Sequence, residues 1–257
     1  RFTAHETGTY FVEAQHQNLG YHSGDLLSIE TIDPISVLPA IDEIWTGYSS
    51  PTIKVYFAQD GETHTGFPAL DVRMTAESIG WTTSQQTQAM QVIGQIESYI
   101  DVSFEVVEYP YEADLVLVLT DDPSYRHFFF NNVASTNPHV VGFSTTHPDW
   151  TDTSIKPGGA AGAIITAGVA ESLGLTPTHV TRINTGEDYQ ATRMEGVFSE
   201  YDLGAWDLNQ SIFTTQSSNL GWVTSPFGGP PRQLYGFNKS LGALDIAVLQ
   251  QKYGSVA

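Results

Sequence analysis

The chain of 257 residues contains no cysteine, which excludes disulfides, thiol catalysis and cysteine-bound metals. Basic charge is scarce. Ten Lys and Arg stand against 29 Asp and Glu, for a formal net charge of -19. Nucleic acid and anionic membrane surfaces are bound by basic side chains that displace counterions, so neither is expected as a partner. No apolar run reaches the about 18 residues of a membrane span, so no membrane insertion is expected. Histidine occurs at positions 5, 16, 22, 64, 127, 139, 147 and 179, and no two are four apart. The helical pair of imidazoles that seats a zinc ion on one helix face is therefore missing. A G-x-S-x-G nucleophile elbow is missing as well.

What is present suffices for a folded core. Hydrophobic residues make up 40% of the chain and aromatics 12%, which rules out a disordered segment of this length. The acidic surplus fits solubility first. Calcium binding, a cationic partner or a salty habitat are the other uses it allows.

Two β-rich runs, Gly8–Ala14 and Asp25–Ile32, are expected to form an N-terminal β segment over residues 1–35. Asp33-Pro34 and Leu38-Pro39 punctuate the junction with a main domain over 36–257. There Thr52–Phe57 alternates as a first strand, and Thr83 or Ser84 is placed to cap a helix running to about Tyr99. Asp101–Val107 reads as a second strand. Ala113–Leu119 reads as a third, apolar enough to be central in a sheet. A Gly158-Gly159 turn leads into a helix over Ala160–Leu173, and Gly174 stands where a left-handed residue ends a helix. That helix is rich in Ala and Gly. Mid-helix Gly168 costs about 1 kcal/mol against Ala, which implies a close neighbour.

The segment Ala167-Gly168-Val169-Ala170-Glu171-Ser172-Leu173-Gly174-Leu175 resembles the zinc helix of serralysin-type metzincin peptidases, H-E-x-x-H-A-L-G-L, in which a third His follows shortly after. Further resemblances lie in Ile41–Tyr48, in Val140-Val141-Gly142-Phe143-Ser144, in Arg193-Met194-Glu195-Gly196 beside the family's Met-turn, and in Leu241–Gly254 beside its C-terminal helix. Residues 1–30 resemble closing strands of β-sandwich modules appended to secreted bacterial peptidases. The family's calcium-binding nonapeptide repeats are not found.

The resemblance implies an α+β fold of metzincin type, a twisted mixed sheet with long helices. It sets the three zinc ligands on Ala167, Glu171 and Pro177 and the general base on Gly168. Gly196 replaces the Met-turn tyrosine. No catalytic residue and no zinc are expected on that basis. Glu171 and His179 remain the candidate metal ligands, and calcium remains a possible cation. His139 and His147 with Asp149 are a weaker candidate for a separate site, since a spacing of eight around a strand is no recognised ligand pattern. By the resemblance Val140–Ser144 is an edge strand, so Val141 and Phe143 are placed at a binding cleft, with Ser240 capping the last helix.

Residues Trp206 to Phe237 form an aromatic insertion holding Phe213, Trp222, Phe227, Tyr235 and Phe237. Trp222, Phe227 and Tyr235 are expected to border the cleft, and Phe128-Phe129-Phe130 raises the same question of binding against local packing. The implied function is a non-catalytic peptidase-like domain of an extracellular bacterial protein that binds a protein, peptide or glycan. The alternatives are an active extracellular zinc metalloendopeptidase with unorthodox ligands and a structural spacer of a surface protein.

Overall fold

A computed structural model describes residues 48, 50–66, 74–123, 127–130, 138–179, 194–219, 221–224 and 236–256. All belong to the second of two compact units, Asp33–Ala257. The expected β segment over 1–35 and the run Ile41–Gly47 lie outside the described residues.

The described residues form a mixed α/β fold with a mostly parallel sheet. In chain order they are β1 (Thr52–Phe57), β2 (Asp60–Gly66), β3 (Met74–Ile79), α1 (Thr83–Ile93), β4 (Ser103–Val106), β5 (Leu115–Thr120), β6 (His127–Phe130), β7 (His139–Ser144), α2 (Ala160–Ser172) and α3 (Ala243–Tyr253). The main sheet has the order β4-β1-β5-β7-β6. Its strands run parallel except β6, which pairs antiparallel with β7. Register sets Val55 against Val106, Leu117 against Val141, and Phe129 against Val141 on the other side.

Alternation along the strands divides the core between two faces. Ile53, Val55, Phe57, Leu115, Leu117, Leu119, Val141 and Phe143 join one cluster with side chains of α1, α2 and α3. Tyr56, Val116, Val118 and Val140 form the opposite cluster, against which Ala76 of β3 packs. All six residues of β5 are buried, as its continuous apolar run leads one to expect of a central strand.

Three boundaries differ from the sequence reading. Thr82, one residue earlier than expected, caps α1 in a capping box with Gln85, and the α-helix stops at Ile93. A short 3-10 turn, Ile96–Ser98, completes the connection. Gly242 rather than Ser240 is the N-cap of α3, because Asp245 reaches back to the Gly242 N–H at 2.9 Å. The third difference is topological. The strand over Val140–Ser144 is interior, and the edge belongs to β6.

Candidate functional site

Helix α2 is buried on all sides. Every one of its residues except Glu171 is buried. Its small side chains let it approach the sheet closely. At Gly168 a Cβ would lie 2.6 Å from Val141 Cγ1 and 3.0 Å from Phe143 Cε1. The helix ends as expected. Gly174 has φ +106°, and the Leu175 N–H reaches back to the Ala170 carbonyl at 3.1 Å.

Val141 and Phe143 do not line an open cleft. Both are fully buried on the helix-facing side of β7, because β6 takes the edge position. Phe143 stacks on Trp150 with ring centroids 5.8 Å apart and meets the Trp81 ring edge-on at 6.1 Å. Trp81 donates its indole N–H to the Leu117 carbonyl at 3.0 Å, which fixes the aromatic group to the sheet.

Around α2, the positions implied to carry zinc chemistry hold other contacts. Ala167 is buried, and its carbonyl accepts a hydrogen bond from Gln216 Nε2 at 3.3 Å. Glu171 Oε1 lies 2.9 Å from His127 Nε2, with the two side chains 11% and 19% exposed. Pro177 is half-buried beside Thr178, whose hydroxyl donates to Asn209 Oδ1 at 2.7 Å and whose N–H reaches the Gln216 carbonyl. Met194 is buried under a tight turn, with the Val197 N–H donating to its carbonyl at 3.0 Å. Gly196 has φ +75°, and a Cβ there would meet the Ala205 nitrogen at 2.8 Å. The turn therefore uses glycine for backbone reasons.

His127 and Gln216 were not singled out in the sequence. No local signal ties His127, on a four-residue strand, to a helix 44 positions later. Gln216 sits in a polar run inside an aromatic insertion, and only burial reveals that it seals α2. His179 does not complete a triad with His127 and Glu171: among the described residues no three His, Asp or Glu side chains come together as metal ligands. His139 opens β7, whereas His147 lies past its far end and pairs with Asp149 at 3.8 Å, so these residues form no common site. Burial pushes the His139 imidazole down to about 4.

Trp222 is 42% exposed. Phe227 and Tyr235 lie outside the described residues, as do the side chains of Phe128, Phe129 and Phe130. Phe237 packs on Ala160 and Ala163 at the start of α2, so this part of the insertion is local core.

Chemically, the His127–Glu171 pair can share a proton and supplies two donor groups. A catalytic zinc takes three from the protein, and Ala167, Gly168 and Pro177 have no side-chain donor to add. Among the described residues no helix is long and apolar enough to cross a membrane.

No protein-family model matches the chain, and no curated protein is similar to it. Among solved structures, one described as "Structure of myroilysin" is similar over 85% of this chain and 100% of that chain, at 13% identity and TM-score 0.47. A "Crystal structure of myroilysin" is similar over 89% and 99%, at 10% identity and TM-score 0.43. The "GM1 bound form of the ECX AB5 holotoxin" follows over 56% and 69%, at 9% identity and TM-score 0.32. At these identities and TM-scores the likeness assigns neither a family nor an activity to this chain.

Proposed function

We propose that this chain is a non-catalytic, metallopeptidase-like domain of a secreted bacterial protein and works by binding a partner. The observation that carries the reading is at Gly168. The position implied for the general base has no room even for a methyl group between α2 and the side chains of Val141 and Phe143. A carboxylate at that position has nowhere to meet a metal-bound water, which it must do to activate it. The neighbouring positions support the same view, because Ala167 is buried with its carbonyl bonded to Gln216 and Glu171 is engaged by His127.

The test is zinc content by atomic absorption on protein purified without chelator, together with casein hydrolysis and melting temperature before and after EDTA. Substoichiometric zinc, no hydrolysis and an unchanged melting temperature are expected. A zinc ion lost on Glu171→Ala or His127→Ala, with chelator-sensitive cleavage, would replace this reading with that of a peptidase whose ligands include the His127–Glu171 pair. A melting temperature that falls in EDTA without zinc would point to structural calcium.

A further inference from the structure

Beyond the buried turn at Met194, the chain presents large aromatic side chains to solvent. Phe198, Tyr201 and Trp206 are 77%, 68% and 61% exposed. They emerge from a short, cross-braced knot. Asp202 Oδ2 accepts from the Phe198 and Ser199 N–H groups at 2.8 and 2.7 Å, and these bonds hold its carboxyl below the usual range. The Ala205 N–H donates to the Glu195 carbonyl at 2.8 Å, and Asn209 Nδ2 donates to the Asp202 carbonyl at 2.6 Å. Trp206 itself stands at φ 60°, a left-handed conformation unusual for a bulky residue.

A second loop is tied to this knot by one buried amide. Gln210 Nε2 donates to the Asp207 carbonyl at 2.7 Å and to Thr224 Oγ1 at 2.9 Å, while its Oε1 accepts from the Thr224 N–H at 3.1 Å. Trp222 and Val223, 42% and 49% exposed, lie on that second loop. Two aromatic-bearing loops are therefore held beside each other through the Gln210 side chain.

The charge of this segment has one sign. From Met194 through Thr224 there is no Lys, Arg or His, while Glu195, Glu200, Asp202 and Asp207 are present. Of these, Glu195, Glu200 and Asp207 are exposed. We propose that the surface formed by Phe198, Tyr201, Trp206 and Trp222 is a docking site for an extended, cationic polypeptide segment bearing Arg or Lys. Aromatic faces attract guanidinium and ammonium groups, and nearby carboxylates supply the counter-charge. A neutral sugar uses the aromatic faces but gains nothing from the carboxylate charge, and an anionic partner is repelled by it. Aromatic anchors have few rotatable bonds and so lose little side-chain freedom on binding, which is why such residues contribute strongly at interfaces.

This proposal rests on the reading of the chain as a binding domain, and it names the partner's chemistry. The test uses the full chain and a short fluorescein-labelled peptide of alternating Arg and Gly, followed by fluorescence anisotropy at near-physiological salt. Saturable binding is expected. Trp206→Gly should weaken it about tenfold. Glycine suits the left-handed backbone, so this loss is not a loss of fold, and Trp222→Ala should act in the same direction. Glu200→Gln should weaken binding and flatten its salt dependence, whereas Glu77→Gln on β3 makes the same charge change and should leave the affinity alone. Equal losses from Glu200→Gln and Glu77→Gln with none from Trp206→Gly would reduce the effect to overall charge and overturn the site. A change in tryptophan fluorescence with a chitin or cellulose oligosaccharide but no peptide binding would overturn it in favour of a glycan site. Absence of any peptide binding would overturn it outright. Zinc content and casein hydrolysis on the same preparation decide the non-catalytic reading separately.

Discussion

Replacing Gly168 by alanine sets two effects of opposite sign against each other. In an exposed helix interior, Gly to Ala gains about 1 kcal/mol. Here the added methyl carbon would lie 2.6 Å from Val141 Cγ1 and 3.0 Å from Phe143 Cε1. Neither neighbour can yield easily. Val141 is a fully buried β-branched residue on an interior strand, and the Phe143 ring is held between Trp81 and Trp150. Overpacking of this kind costs about 1–3 kcal/mol, and two rigid contacts place the cost at the upper end. The expected net loss is about 1–2 kcal/mol, a fall in melting temperature of about 2–8 °C for a domain of this size. A double-mutant cycle sharpens the test. Val141→Ala alone removes buried methyl groups and costs about 2 kcal/mol. With Gly168→Ala beside it, the new methyl group occupies the vacated space, and a favourable coupling of about 1 kcal/mol or more is expected. The reasoning is refuted if Gly168→Ala raises the melting temperature, as an unconstrained helical glycine would.

Two further outcomes are expected. Asp245, fully buried, accepts hydrogen bonds from the Gly242 and Thr215 N–H groups and the Thr214 hydroxyl, so Asp245→Ala strands three buried donors and should cost on the order of 3–5 kcal/mol in urea unfolding. A loss below about 1 kcal/mol would show that those donors find water instead. His139 titrates at about 4 in the folded chain because of burial, against about 6.5 when unfolded, so the unfolded chain takes the proton first. Its contribution is therefore full above about pH 6.5 and lost as pH falls toward 4, about 3 kcal/mol in all. A His139→Phe variant should flatten that part of the stability profile, and an unchanged slope would count against the assignment.

How much of this was legible in the sequence depended on the range of the interaction. Within the expected strand Ala113–Leu119, the run Leu115–Leu119 announced a central strand because burial on both faces favours unbroken apolar residues. Gly174 and the glycine-bearing helix were legible because helix termination and helix propensity are local. The edge assignment failed because Val140–Ser144 has the same local signature whether or not another strand lies beyond it. The covering strand, His127–Phe130, is too short to stand out from a loop. The partner of Glu171 was invisible for a related reason. His127 and Glu171 are 44 positions apart in the chain, and nothing near His127 records which helix it will meet. At α3 the cap was misplaced by favouring a serine hydroxyl over the Asp245 carboxylate three residues into the helix.

The burial of α2 has a consequence for how this chain can change. Its twelve buried residues leave Glu171 as the one partly exposed position, and its carboxylate is paired with His127. Installing Glu at 168 would force a large polar group against Val141 and Phe143, and Ala167 beside it is itself buried. Such a step taken singly would cost packing between helix and sheet before any new chemistry existed to be selected. A side chain at 168 is therefore disfavoured unless Val141 shrinks beforehand. The tight seam between helix and strand thus acts as a latch on the helix's own sequence: what position 168 can accept is decided by residues of the facing strand.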